Sequence, residues 1–255
     1  MISIAERRKH ILDCLARDGF VKVNDMAHEL DVTPVTIRKD FKYLEDKKML
    51  YRSHGSASPV NPQAFDLNVE EKEKINIREK KIIAQKACEL LQNDDSIIIG
   101  SGSTVYMFAD CLAAKNPKLT VVTASLKISL LLNKYKTIDI IQLGGYLRKN
   151  SLSVIGDYTA IFFDKVTCSK LFFGVDGIDP EHGVTNSNIE EANLNRKMIK
   201  SSLRTIILAD SSKFGRRGFG KVCDLDEIDV IITDSGISRA MAQAIEEMGV
   251  ELIIA

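Results

Sequence analysis

Ser101–Gly102–Ser103–Thr104 stands directly after the β-branched run Ser96–Ile99 and opens a helical pattern. Such a turn presents unpaired backbone N–H groups at the positive end of a helix, and its small hydroxyls add donors without blocking approach. Its natural guest is an anion, phosphate first. Gly and Ser are also ordinary turn residues, so the turn alone carries little. Further polar groups fall where later runs end: Ser125 in Thr123–Ala124–Ser125, Gly144–Gly145 with Arg148, Asp176–Gly177, and Lys213 within 209–215. Ligands of open α/β sheets collect outside the carboxyl ends of the strands, so these loops are expected to converge on one crevice.

A second group of residues points to nucleic acid. Thr33 is placed to cap a helix that Pro34 begins, and Ile37, Phe41 and Leu44 mark one apolar face of it. Thr36, Arg38 and Lys39 lie on the other face, where the first turns of a groove-bound helix meet base edges. Lys42 adds charge to the same helix, and Arg52 and His54 fall on a short extended run that ends at Gly55, in reach of phosphate or minor groove. From Thr33 to Gly55 six basic residues face three acidic ones, although the whole chain balances 35 against 35. The simpler alternative is a helical cap whose charges are only solvated.

The elements that must position these residues follow from periodicity. Ile4, Ile11, Leu12 and Leu15 trace a helix that stops at Gly19. Met26, Ala27 and Leu30 trace a shorter one with Asn24 as its cap, and residues 50–55 read as a β-wing. Pro59, Pro62 and the charged run Glu70–Lys74 break the pattern, and that run reads as a solvated helix start. Beyond it, β-branched runs at 96–99, 119–123, 138–143, 170–175, 204–209, 230–233 and 250–254 alternate with helical patterns such as 105–114, 126–134, 190–201 and 239–248. This alternation implies a largely parallel α/β sheet covered on both faces. The expected division is a winged helix-turn-helix domain over 1–60, a linker over 61–77 and an α/β domain over 78–255.

Composition narrows the function classes. With 255 residues, 45% hydrophobic and 27% charged, the chain is an ordinary globular one of about two domains. It has no signal-like apolar stretch and none of the ~18 uninterrupted apolar residues of a spanning helix, so a cytoplasmic protein without membrane partners is expected. Cys14, Cys88, Cys111, Cys168 and Cys223 form no CxxC, and His10, His28 and His182 read as surface residues; neither a metal site nor a cofactor is expected.

The residues also carry a resemblance. Arg8–Ile11, Val23–Leu30, Thr36–Ile37–Arg38–Lys39–Asp40, Leu44 and Arg52–Ser53–His54–Gly55 resemble the DNA-binding signature of the DeoR family of bacterial sugar-metabolism regulators. Gly102–Thr104, Leu143–Gly145 with Arg148, Gly174–Ile178, Gly183–Thr185, Asn188 with Glu190–Ala192, and Ala209–Lys213 are similar to its sensor domain, so the resemblance covers nearly the whole chain. It lies nearest to glucitol operon repressors in overall pattern. The chain departs from the family pattern at Lys48 and Ser56 around the wing, at Gly100 before the Ser-rich turn, and at Ala124.

The resemblance implies a sensor fold related to ribose-5-phosphate isomerases and coenzyme A transferases. It further implies a phosphorylated sugar or sugar alcohol as effector, Glu191 among its contacts, a double-stranded operator as partner, and a homo-oligomer, dimer or tetramer. A non-enzymatic repressor of a sugar-utilisation operon is therefore expected. Asp176, Asp179 and Glu191 also resemble isomerase acid–base groups, and a sugar-phosphate isomerase with an accessory head is the rival reading. An isomerase needs a carboxylate to move a proton between adjacent carbons and a cation or donor for the enediolate.

Overall fold

The computed structural model describes residues 2–18, 21–47, 49–53, 55–59 and 66–255. Its amino-terminal part holds α1 (Ile4–Asp18), β1 (Val21–Lys22), α2 (Val23–Glu29), α3 (Pro34–Asp46), β2 (Leu50–Ser53) and β3 (Ser56–Pro59). Helically spaced apolar residues make its core: Ile11 and Leu15 from α1, Met26 from α2, and Ile37, Phe41 and Leu44 from α3 are all buried together. The Thr33 hydroxyl accepts the Thr36 N–H, and Pro34 takes the first helical position, where an N–H would lack an intrahelical partner. Asn24 does not cap α2. It lies inside that helix, because β1 runs straight into it and the extended Lys22 occupies the cap. The strands β2 and β3 pair antiparallel as a wing, with β1 on its edge.

Asp40 fixes the helices to one another. It is 2% exposed and accepts from Arg7 Nε at 2.5 Å and Arg8 Nε at 2.8 Å, which ties α3 to α1. Among the described residues, the Ser56 hydroxyl of the head donates to Glu181 at 2.7 Å, and Lys22 Nζ lies 3.1 Å from Glu247.

The remaining elements are α4 (Val69–Glu73), α5 (Ile77–Ala87), β4 (Ser96–Ile99), α6 (Ser103–Lys115), β5 (Leu119–Thr123), α7 (Leu126–Leu132) and β6 (Ile138–Gln142), then β7 (Tyr146–Arg148), β8 (Ser153–Ile155), α8 (Asp157–Ala160), β9 (Lys170–Phe173), β10 (Gly177–Asp179), β11 (Gly183–Asn186) and α9 (Ile189–Lys200). They are followed by β12 (Thr205–Leu208), β13 (Gly220–Cys223), β14 (Val230–Thr233), α10 (Arg239–Glu246) and β15 (Glu251–Ile254). Seven of these strands form one parallel sheet in the order β15-β14-β12-β9-β4-β5-β6.

The β-branched runs become strands because both faces of this sheet are covered. Ile97 and Ile99, Phe172, Ile206 and Leu208 enter one core, while Ile98, Leu171 and Phe173, and Ile207 enter the other. Phe108 of α6 stacks on Phe172 with ring centroids 4.4 Å apart. Two smaller antiparallel units, β10-β11-β13 and β7-β8, complete the domain. No helix among the described residues is long and apolar enough to cross a membrane.

The strand order creates the crevice. From β4 the chain steps outward through β5 to β6, then returns to the other side of β4 with β9 and continues outward through β12 and β14 to β15. The loops after β4 and β9 therefore diverge, and the gap outside their carboxyl ends is where such sheets receive ligands.

Candidate functional site

Gly102 initiates α6 with φ +124° and no side-chain cap, which leaves the first N–H groups of a 13-residue helix open at its positive end. Only glycine takes that backbone angle without strain. Ser103 and Thr104, both 6% exposed, fill the first turn. Gly100 has a packing reason to lack a side chain: a Cβ there would sit 2.9 Å from Phe173 Cβ. Gly174, after β9, closes the opposite wall 3.5 Å from the Ser101 carbonyl oxygen, measured from an added Cβ.

Around this turn the fold gathers Arg148, Asp176, Glu191 and Lys213 in one crevice with Ser101–Thr104. Asp176 is 6% exposed and accepts from Lys72 Nζ at 2.7 Å, the Ser187 N–H at 2.9 Å and the Ser187 hydroxyl at 2.8 Å. Burial alone would raise its pKa, but Lys72 and the two Ser187 donors outweigh burial and hold it below the ordinary carboxylate value. Glu191 goes the other way. Burial raises it despite the Ser151 hydroxyl and the Arg148 guanidinium, whose Nη1 lies 3.2 Å from Oε1. Lys213 is lowered by burial, against the pull of Asp210 and Asp176. Asp210 is held low by the Ser212 hydroxyl, Lys213 and Asn76 in spite of its burial.

A segment absent from the sequence-derived site closes the crevice. Residues 66–76 form a strap: Asp66 pairs with Arg148, the Val69 N–H donates to the Asn150 carbonyl at 2.7 Å, Lys72 meets Asp176, Glu73 meets Lys127 at 2.5 Å, and Asn76 donates to Asp210 at 2.9 Å. The run Glu70–Lys74 is therefore not simply a solvated helix start. Beneath it Lys80, 2% exposed, donates to the carbonyls of Lys72 and Ile75, and burial pushes its pKa down to about 8 despite the nearby Asp210. Leu67, Val69 and Lys72 line a space of about 50 Å³, against the roughly 300–1,000 Å³ of typical ligand pockets.

Other expected contacts sit elsewhere. Ser125 is spent as the cap of α7, accepting the Ile128 N–H. Gly144 and Gly145 line a different cavity beside Tyr158 and Phe162, where the Thr159 hydroxyl donates to the Gly144 carbonyl at 2.8 Å. Gly177 opens β10, where an added Cβ would fall 2.3 Å from the Arg216 carbonyl oxygen; it permits close packing beside Asp176. Asp179 is 1% exposed and accepts from Arg217 at 2.9 Å, so it braces a turn outside the crevice. Sequence reasoning missed Lys72, whose one signal is its place in a charged run, and Ser187, next to the matched Asn188.

On the head, Thr33, Arg38, Lys39 and Lys42 are exposed along α3, with Thr36 half-buried beside Thr33. Arg52 is also exposed, but its Nε donates to Glu45 at 2.6 Å and its N–H to the other Glu45 oxygen at 3.0 Å, so part of its charge is already answered. His54 and Lys48 lie outside the described residues.

Comparison with known proteins matches two family descriptions to this architecture. A DeoR-like helix-turn-helix domain matches residues 7–63, and a DeoR C-terminal sensor domain matches residues 75–235. The chain is 34% identical over 252 residues to an Escherichia coli O157:H7 protein provisionally named aga operon transcriptional repressor, covering 98% of this chain and 93% of that one. It is 31% identical over 233 residues to a lactose phosphotransferase system repressor of Staphylococcus epidermidis (strain ATCC 35984), covering 90% and 92%. Among solved structures, ribose 5 phosphate isomerase A from Neisseria gonorrhoeae superposes with a TM-score of 0.41 at 22% identity, over 53% of this chain and 52% of that one.

Proposed function

The chain belongs to the DeoR family of transcriptional regulators, and from that premise we propose that it represses a sugar or sugar-alcohol utilisation operon until a phosphorylated sugar fills the crevice. The carrying observation is that an uncapped helix N-terminus and three cations converge on one crevice, Lys72 from the strap and Arg148 and Lys213 from beneath it. Phosphate at that helix end, beside Lys213, competes with Asp66 and Asp176 for Arg148 and Lys72, so binding and strap closure oppose each other. The likeness to repressors named for aga and lactose systems supports the reading.

In this reading α3 enters the major groove with Thr36, Arg38 and Lys39 toward base edges, while Thr33, Lys42, Arg52 and His54 meet the backbone. A single winged module buries little surface, so the protein acts as a homo-oligomer on repeated half-sites in the cytoplasm. The working division is head 1–60, connector 61–77 and sensor 78–255. The test is fluorescence anisotropy of fragments upstream of neighbouring sugar genes, with and without a panel of hexose and hexitol phosphates. Specific binding released by one phosphate, and not by its unphosphorylated sugar, is expected. Operator affinity indifferent to the whole panel overturns the effector assignment.

One observation favours a second reading: Glu191 is raised and Asp176 lowered within one crevice, as in an acid–base pair. We assign the pair to sensing because Asp176 is committed to Lys72 and Ser187. Aldose–ketose turnover that disappears in Glu191→Gln reverses this.

A further inference from the structure

The head carries a cluster of donors that DNA recognition does not use. His10 and Cys14 stand one turn apart on α1, and Glu29 reaches them from the end of α2. The His10 Nε2 lies 2.7 Å from Glu29 Oε1 and 3.4 Å from Cys14 Sγ, and the three donor atoms all fall within 4.8 Å of one another. The reading of His10 as a plain surface residue passes over this spacing of four, which places both side chains on one helix face.

We propose that His10, Cys14 and Glu29 form a binding site for a zinc-type divalent cation that clamps α1 to α2. A thiolate, an imidazole and a carboxylate make a mixed donor set suited to a borderline-soft ion, with three protein ligands and a fourth position for water. Tetrahedral zinc bonds of about 2.0–2.3 Å put donor atoms roughly 3.3–3.6 Å apart. The His–Cys separation already has that length. The His–Glu separation must open by about half an ångström, which the 46%-exposed Glu29 side chain allows. Access is one-sided: Cys14 is 1% exposed at the floor, while His10 and Glu29 border solvent. On binding, the Cys14 thiol gives its proton to solvent, the His10 ring passes from its Nε2–H to its Nδ1–H tautomer by proton exchange with solvent, and the ion takes the freed Nε2 lone pair in place of the His10–Glu29 hydrogen bond.

The mechanical consequence falls on the recognition helix. Arg7 and Arg8, just before His10 on α1, already hold Asp40 of α3. A cation joining α1 to α2 thus completes a connection among all three helices, and it stabilises the head by binding only its folded form.

The experiment uses the untagged full-length chain freed of metal with a chelator. Zn²⁺ is titrated against a chromophoric chelator, and Co²⁺ is added separately to read the thiolate-to-cobalt charge-transfer absorption. One equivalent per chain is expected, together with a raised Tm. The absorption should vanish in Cys14→Ser and persist in Cys111→Ser. His10→Gln and Glu29→Gln should each weaken zinc binding at least about tenfold. Glu29 is exposed, so its variant reports on binding even where Cys14→Ser fails to fold. Failure of the wild-type chain to bind zinc, a charge-transfer band retained without Cys14, or wild-type zinc affinity in both His10→Gln and Glu29→Gln overturns the site.

Discussion

Replacing Lys72 by Met keeps most of the side chain's length and removes the ammonium that lies 2.7 Å from Asp176. The pair is largely shielded, with side-chain exposures of 19% and 8%. Stripping one partner from a buried pair typically costs roughly 3–5 kcal/mol. Here the loss is smaller, because Asp176 keeps two donors from Ser187 and the strap keeps its ties at Asp66, Val69 and Glu73. About 1–3 kcal/mol is expected, which corresponds to strap opening roughly 5- to 150-fold more often. Hydrogen exchange read by mass spectrometry on the full chain measures this directly: amides of 66–74 should exchange faster by that factor, while those of β4 and β9 keep wild-type rates. Unchanged exchange in the strap would refute the latch. Equal acceleration across the sheet would show that Lys72 supports the whole domain instead.

Four further outcomes are expected. Arg38→Ala should lose roughly 1–3 kcal/mol of operator affinity in anisotropy titrations while the protein stays folded, and wild-type binding should weaken steeply with salt. Lys213→Ala should weaken effector binding about ten- to a hundredfold by calorimetry, yet leave operator binding intact and a reporter silenced when sugar is supplied. Asp40→Ala should destabilise the head by about 3–5 kcal/mol, seen as an earlier thermal transition, because Arg7 and Arg8 lose their shared buried partner. Lys80 gives a pH signature: folded, it loses its proton near pH 8, whereas the unfolded chain holds that proton to about pH 10.4. Between those values the unfolded state binds more protons, so Lys80 makes stability rise with pH; thermal melts of Lys80→Met should lack that rise.

The central sheet was legible because its inner strands β4, β5, β12 and β14 are short, largely β-branched runs buried on both faces. β9 is an apolar run after Lys170, and the partly exposed edge strands β6 and β15 still carry paired isoleucines beside Asp139, Gln142 and Glu251. The small strands β7, β8, β10, β11 and β13 were not: they have three or four residues, β7, β10 and β11 carry Arg148, Asp179 and Asn186, and β13 forms only by pairing with β11 from far along the chain. At the site, the Ser-rich turn, Asp176 and Lys213 follow the recognisable strands β4, β9 and β12 and Glu191 opens the periodic helix α9, and they do meet; Arg148 joins them from β7, which has no such period. Gly144 and Gly145 looked equally suitable, but β7 turns away after them and carries only Arg148 inward. Lys72 could not be read at all. A lysine among glutamates has no local signature, and its role exists only once the strap lies across Asp176.

The ribbon of β10 and β11 has one end in each half of the molecule. Asp176 and Ser187 stand at its base in the crevice, and Glu181 at its tip receives the hydroxyl of Ser56 from the wing. About 10 Å of paired backbone separates the two ends, and Arg217 with the Glu181 and His182 N–H groups pins the tip by binding Asp179. β13 pairs along β11 and Ile178 bridges to Phe214, so the ribbon is braced on both sides. The wing is therefore joined to the crevice by paired backbone that runs from Asp176 to Glu181, as well as by the chain between the two domains.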